Sequence, residues 1–345
     1  MDLRSHMEPG LKNVLVTGGA GYVGHVLTPR LLSEGYNVTV YDKLFFGCRL
    51  PNSPNLGVIQ GDIRDTAKLA GALEGRDAVL HLACISNDAS FELDEKLSET
   101  VNFDCFEPFV IAAKKAGVKR FVYASSSSVY GVSDSPDVTE DHPLVPLTLY
   151  NKFKGMCEPV LWKHKSDDFT SVVIRPATIC GYSPRTRLDL SVNILTNHAI
   201  NKGTITVFGG NQMRPNLHVD DMVDAYLLML IAPHQKIHGE IFNIGFQNYS
   251  IAEIANMVKM VVEEEMPEKG DIKIVTMPSN DMRSYHVNSD KVRRVLGFEP
   301  KRSIEDAVRD LTRAFRNHLL PNSFDDDNYY NVRTMKKIGA NECSS

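Results

Sequence analysis

The sequence predicts an α/β fold, a doubly wound parallel sheet followed by a smaller C-terminal lobe. Three observations predict it. The stretch Val14-Leu15-Val16-Thr17-Gly18-Gly19-Ala20-Gly21-Tyr22-Val23-Gly24 reads as a buried strand, a glycine-rich turn and the start of a helix. Strand-like and helix-like segments then alternate through residue 175. The strand-like segments are near-continuous apolar runs, such as Ala78-Val79-Leu80-His81-Leu82-Ala83, as expected where both faces of a sheet are covered. Together they make the first part a Rossmann-type nucleotide-binding domain.

The first strand is 13–17. Gly18 lets the chain turn where a Cβ would clash, Gly21 lets backbone approach a pyrophosphate, and Gly24 lets the helix pack closely. The helix, about 24–35, offers free N–H groups and a partial positive charge to phosphates. The second strand, 37–42, ends in Asp42, eighteen residues after Gly24. A carboxylate at that spacing suits the adenosine ribose hydroxyls and repels a 2′-phosphate, which favours NAD over NADP. Lys43 beside it reads as a solvated flank. The third strand, 58–63, exits through Asp62 and Ile63. Asp62 suits the adenine edge, and equally suits a cap on the helix that begins near Thr66. His81, inside the fourth strand, reads as a satisfied core histidine. The loop Cys84-Ile85-Ser86-Asn87-Asp88 leaves that strand at the edge where ligands bind in open α/β sheets.

A long helix over 95–116, a strand over 120–125, a helix over 149–165 and a strand over 171–175 continue the alternation. Beyond Pro176 the pattern loosens. Helices are expected near 191–201, 221–231, 251–265 and 303–317, with strands at 204–208 and 241–244. The expected division is a nucleotide-binding domain over 7–178 with a returning segment near 218–245. A substrate-binding lobe takes 179–217 and 246–319. Residues 320–345, with Asp325-Asp326-Asp327 and little apolar content, read as a mobile tail. Met1 to His6, ahead of Met7, read as a remnant of cloning and are set aside.

The 345 residues are 43% hydrophobic and 23% charged, which is ample for a sizeable core. A net charge of −5 and a pI near 6.1 argue against a nucleic-acid or membrane-surface partner. No apolar run is long enough for a bilayer span, and no signal peptide is visible. The six cysteines are scattered without a Cys-x-x-Cys. They read as reduced thiols of a cytoplasmic protein, several of them in the core, and argue against zinc or any other metal site.

Two clusters at the expected sheet edge carry chemistry. Ser125-Ser126-Ser127-Ser128-Val129-Tyr130-Gly131 follows the fifth strand, and Tyr150-Asn151-Lys152-Phe153-Lys154 opens a helix. Tyr150 and Lys154 stand at i and i+4, on one helix face. An ammonium and a positively charged nicotinamide would draw a phenol down from its reference value of about 10, towards use as a general base. A serine hydroxyl from the first cluster could hold the same substrate oxygen.

With these motifs the chain resembles the extended short-chain dehydrogenase/reductase family, in its nucleotide-sugar epimerase/dehydratase branch, over about residues 13–315. The further marks are Gly61-Asp62-Ile63 and Leu217-His218-Val219-Asp220-Asp221. The resemblance implies NAD as cofactor, held by Gly18, Gly21, Tyr22, Val23, Gly24, Asp42, Asp62, Ile63, Leu82, Ala83, Tyr150 and Lys154. It implies that Tyr150 takes a proton from a sugar hydroxyl, usually at C4, while Lys154 holds the nicotinamide ribose and lowers the Tyr150 pKa. It places the active hydroxyl on Ser126. For the substrate, a UDP- or GDP-linked sugar, it points to Ser127, Thr178, Asn193, and two arginines for the pyrophosphate, Arg214 and Arg283. Asp220 and Asp221 are expected to cap the helix that follows them, and Cys84, Cys180 and His218 to be structural.

Similar dehydratases carry Asp-Glu after the active residue, and decarboxylases a Glu. This chain has Ser127-Ser128, closer to UDP-galactose-type 4-epimerases. Two departures pull the other way. Thr178 stands where those epimerases usually have an Asn, and Arg187-Leu188-Asp189-Leu190-Ser191-Val192-Asn193 is closer to GDP-heptose 4-dehydrogenases. The expected reaction is therefore 4-epimerisation, with C4 oxidation that releases the ketone as the alternative. A non-catalytic NAD-binding sensor is the other class, but proteins of that kind tend to lose the Tyr or Lys kept here. The resemblance also implies a homodimer through the helices near 95–116 and 149–165. Phe106, Phe109, Val110, Met156 and Leu161 could line that contact or equally face their own sheet.

Overall fold

The computed structural model describes residues 11–133, 135, 137–279 and 284–342. Met1 to His6, Arg283 and Cys343 lie outside them. Seven strands form one sheet: β1 (Asn13–Thr17), β2 (Asn37–Asp42), β3 (Leu56–Gln60), β4 (Ala78–His81), β5 (Arg120–Ala124), β6 (Thr170–Pro176) and, after β7 (Thr178–Cys180), β8 (Thr204–Phe208) and β9 (Met213–His218), β10 (Glu240–Ile244). Their order is β10-β6-β5-β4-β1-β2-β3, and every pairing is parallel. The order reverses between β1 and β4, which opens a crevice at the carboxyl ends of those strands.

The apolar strands split by alternate residues. Val14, Val16, Val38, Val40, Leu80, Val122 and Ile174 belong to one core, while Leu15, Tyr41, Val79, Phe121, Tyr123 and Val173 belong to the other. This period of two, buried on both sides, is what a doubly wound sheet requires. The first face is covered by α1 (Gly24–Ser33) and a later helix over Val219–Ile231; the second by α2 (Thr66–Leu73) and two later helices over Phe106–Lys115 and Leu149–Lys163. The expected helix over 95–116 is interrupted. After the single turn α3 (Asp88–Phe91), α4 (Glu95–Glu99) passes into a π-helical turn over Thr100–Asp104 before α5 (Phe106–Lys115). The bulge aims buried Asn102 at the loop after β4. Its Nδ2 donates to Ile85 O at 3.0 Å and its Oδ1 accepts from Ile85 N at 2.8 Å. A local widening that re-aims one side chain is a common use of such a turn. Phe106, Phe109 and Val110 of α5, and Leu161 of α6 (Leu149–Lys163), all face their own sheet.

The remaining elements gather around a separate core. α7 (Ser191–Lys202), β8, α10 (Ile251–Glu265) and α12 (Ile304–Arg316) bury Val192, Leu195, Ile205, Val258, Val262 and Val308 against one another. Four strands absent from the sequence reading, β7, β9, β11 (Gln247–Ser250) and β12 (Lys273–Met277), complete this part. β7 and β11 flank β9, and β12 pairs with β8. Short helices α9 (His234–Ile237) and α11 (Asp290–Leu296) close the connections. The helix α8 (Val219–Ile231) is capped by His218, whose Nδ1 accepts from Asp220 N at 3.1 Å, rather than by Asp220 or Asp221. The other ring nitrogen of His218 lies 3.2 Å from an Asp310 carboxylate oxygen, so the ring caps α8 and faces α12. Buried Asp221 instead accepts from Lys301 N, Arg302 N and the Arg302 guanidinium, tying the second core to α8.

Residues 320–342 of the expected tail carry buried contacts and a helix. Leu320, Tyr329 and Tyr330 are buried with Leu188 and Leu311, and α13 (Asn331–Glu342) follows. Its few apolar residues are spent on contacts at long range, which composition alone does not reveal.

Candidate active site

A cleft of about 670 Å³ lies at the switch point. Gly18, Gly21, Tyr22, Val23, Gly24, Asp42, Asp62, Ile63, Leu82, Ala83, Ser126, Ser127, Tyr150, Lys154, Thr178 and Arg214 all line it. Two expected residues are not among them. Asn193 is fully buried, its amide committed to Arg187 O, Gly181 N and the Tyr22 hydroxyl at 2.8, 3.0 and 3.2 Å. It therefore holds the wall together from behind and has no polar atom left for a ligand. Arg283 is outside the described residues.

The glycine turn is fixed by close backbone approaches. Gly18 has φ +74°, and a Cβ there would lie 2.7 Å from Ala83 N; a Cβ on Gly24 would lie 2.4 Å from Gly19 O. The α1 N-terminus has no side-chain cap, so the turn faces the cleft with backbone amides. Asp42 accepts from Ala20 N at 2.9 Å and Leu44 N at 2.8 Å. Burial pushes its carboxyl above the ordinary range despite those two amides. Asp62 is held by Arg64, through its backbone N–H and guanidinium, and by Lys43 at 3.0 Å, well below the usual carboxylate range. Lys43 is thus a paired group rather than a solvated flank, and the cap of α2 is Asp65, not Asp62. These features fit a dinucleotide: a cradle that admits no Cβ at Gly18 or Gly24, an uncapped helix and a carboxylate at the end of β2.

At the other end of the cleft the serine cluster meets α6. Ser126 Oγ lies 2.7 Å from Ser128 Oγ, which donates on to Asn151 Oδ1. Ser127 is buried beside them. Behind this chain, Ser125 Oγ donates to Glu158 at 2.6 Å, and Glu158 forms a buried two-bond pair with Arg175 at 3.0 and 2.6 Å. Lys154 Nζ donates to Ala124 O at 2.8 Å and lies 5.3 Å from the Tyr123 ring centroid. Tyr150 opens onto the cleft, and its phenol is pushed well above 10, first by burial and then by Cys84 and Asp88. The cation that opposes this rise is Arg187, a residue to which the sequence assigned no role. Neutral His81 sits beneath, its Nδ1 2.7 Å from Thr17 Oγ1, with burial drawing its pKa down to about 3.

A second wall of the cleft, carrying Arg185 to Asp189, was not foreseen. Arg187 pairs with Asp189 through two bonds of 2.9 and 3.2 Å, and its Nη1 reaches Ser86 Oγ at 3.4 Å. Burial pushes Asp189 up, but Arg187 outweighs it and holds the carboxyl below its ordinary value. Asn331, at the start of α13, donates from its backbone to Asp189 at 3.1 Å and from its side chain to Ser86 Oγ at 2.9 Å. Met335 and Ile338 of α13 also line the cleft. The one sequence signal for this wall was the charge density of Arg185-Thr186-Arg187-Leu188-Asp189 after Pro184.

Residues 14–245 match a family described as the NAD dependent epimerase/dehydratase family. The chain is 30% identical to a UDP-glucose 4-epimerase of Lactobacillus helveticus, over 91% of this chain and 99% of that one. Among solved structures it resembles the UDP-glucose 4-epimerase of Thermotoga maritima in complex with UDP-glucose, at 26% identity and a TM-score of 0.79, covering 89% of this chain and 99% of that one. It also resembles a dTDP-glucose 4,6-dehydratase from Streptomyces venezuelae solved with NAD bound, at 25% identity and a TM-score of 0.78, covering 88% and 97%.

Proposed function

The chain belongs to the NAD-dependent epimerase/dehydratase family and is an NAD-dependent enzyme, and we propose that its reaction is 4-epimerisation of a nucleotide-activated sugar, with a UDP-hexose as the first substrate to try. One observation carries this reading. Tyr150 and Lys154 share a cleft with the glycine turn, and the place where dehydration or decarboxylation would need a carboxyl group holds the hydroxyls of Ser127 and Ser128.

In this reading Gly18, Gly21 and Gly24 with the α1 N-terminus hold the cofactor diphosphate. Asp42 takes the adenosine ribose, Asp62 and Ile63 border the adenine, and Leu82 and Ala83 form the floor. NAD⁺ held there would supply the hydride acceptor at C4 of the sugar and the donor for return to the opposite face. Tyr150 removes the C4 hydroxyl proton and gives it back. Its raised pKa in the free chain keeps the phenol protonated at neutral pH, so the base forms only as positive charge gathers around it. Arg187 supplies part of that charge; Lys154, turned to Ala124 O, holds the nicotinamide ribose and adds its charge at closer range once the cofactor is in place. Ser126 orients the sugar hydroxyl, with Ser128 and Asn151 fixing its own orientation. Ser127 and Thr178 border the sugar, and Arg214 takes a substrate phosphate. A homodimer formed through α5 and α6 goes with the reading, as does a cytoplasmic location; among the described residues no helix is long and apolar enough to cross a membrane.

The test is a panel of UDP-, GDP-, CDP- and dTDP-sugars, incubated with catalytic and then excess NAD⁺ and read by mass and sugar NMR. Unchanged mass with inverted C4 is the expected result. A product two hydrogens lighter, with stoichiometric NADH, makes the enzyme a C4 dehydrogenase instead. Loss of water would overturn the argument from Ser127 and Ser128.

A further inference from the structure

Arg185 is a buried cation of the cleft with an unpartnered nitrogen among the described residues. It lines the cleft yet is only 5% exposed. Its guanidinium carbon lies over the Phe46 ring, 3.7 Å from the centroid, and its Nη2 donates to Asn331 Oδ1. Its Nε has no partner among the described residues. The carboxylate nearest in sequence, Asp189, is taken by Arg187 in a two-bond pair. A guanidinium buried without an anion is costly, and its planar fork is suited to a phosphate. Burial and the neighbouring Arg187 push it down to about 9, so an arriving anion would meet an under-compensated cation.

We propose that Arg185 binds a diphosphate oxygen of the nucleotide in the cleft, and that Asn331 is the positioning residue that holds it there. The C-terminal segment is then part of the binding site, reaching it from 146 residues away. The position of Arg185, against Phe46 and within electrostatic reach of Asp42 and Tyr22, places it on the cofactor side. A nucleotide-sugar diphosphate would offer the same oxygens. The inference rests on the reading of this cleft as a dinucleotide and nucleotide-sugar site.

Calorimetric titration of the full chain with NAD⁺, and separately with UDP, tests it in Arg185→Gln, Asn331→Ala and the double variant. Arg185→Gln is expected to lose roughly 10- to 100-fold in NAD⁺ affinity, the range for a charge-assisted hydrogen bond. The ligand-free melting temperature should stay level or rise, because the variant removes an unpaired buried charge. That pattern separates a ligand contact from a structural role, and Arg185→Lys gives a second reading should Arg185→Gln fold poorly. A loss seen with UDP alone supports the proposal with the substrate as the source of the diphosphate. Unchanged affinity for both ligands overturns it. Asn331→Ala should cost several-fold alone and nothing more in the Arg185→Gln background. An equal cost in both backgrounds overturns its positioning role. Wild-type chain that binds NAD⁺ but not UDP would break the UDP-sugar reading and leave this one standing.

Discussion

The wall that carries the glycine turn and the wall that carries Arg185 and Arg187 are held in different ways. On the first, backbone fixes backbone. Gly18 N donates to Tyr41 O, Leu82 N donates to Thr17 O, and Gly18 and Gly24 sit where neighbouring main chain leaves no room for a Cβ. On the second, side chains from three distant segments meet. Ser86 follows β4, Arg185 to Asp189 follow β7, and Asn331 opens α13. The first wall is local and tolerates little change at a few glycines. The second is a network of polar side chains, where one substitution is felt by several partners.

Tyr150 lines the cleft that both walls bound, and Tyr150→Phe should give the largest effect. Turnover of the nucleotide sugar should fall about a thousandfold, with NAD⁺ affinity within about threefold of wild type. A variant that turns over normally would remove Tyr150 from the chemistry.

On the backbone-built wall, Gly18→Ala must accept φ +74° and a Cβ 2.7 Å from Ala83 N. Chemical denaturation should show a loss on the order of 3 kcal/mol, together with loss of NAD⁺ binding. A variant of normal stability and affinity would mean that the turn relaxes freely, and the contrast between the walls would fail.

His81 lies beneath the first wall, against Thr17 and four core aromatic rings. Its folded pKa, about 3, is below its ordinary 6.5, so the unfolded chain takes the proton first as pH falls. Its contribution to stability is complete above pH 6.5 and is lost progressively towards pH 3. By pH 5 the loss should be about 2 kcal/mol relative to pH 7.5. Urea unfolding of wild type and His81→Gln at those two pH values isolates the term, because the variant should show a flatter dependence. Equal slopes would place a charged histidine in the core.

The smallest effect is expected on the side-chain wall. Arg187 is the cation that opposes the rise in the Tyr150 pKa, so Arg187→Gln should move the ascending limb of the kcat/KM profile to higher pH by roughly one unit. A limb that stays in place would make Arg187 a purely structural partner of Asp189.

Most of the first wall was legible in the sequence because its determinants are local. Three glycines at fixed spacing, an acid at the end of the next strand, and Tyr150 with Lys154 one helical turn apart each state their geometry within a few residues. The apolar runs likewise determined a sheet covered on both faces. What the tertiary structure alone decided depends on contacts between remote segments. Asn193 looked available for a ligand but is consumed by Tyr22, Gly181 and Arg187. Lys43 looked solvated but pairs with Asp62, and a tail poor in apolar residues spends Tyr329, Tyr330 and Asn331 on the second core and the cleft. Local geometry follows from the chemistry of neighbouring residues. The use to which a polar side chain is put depends on what packs against it, and that is set only when the whole chain has folded.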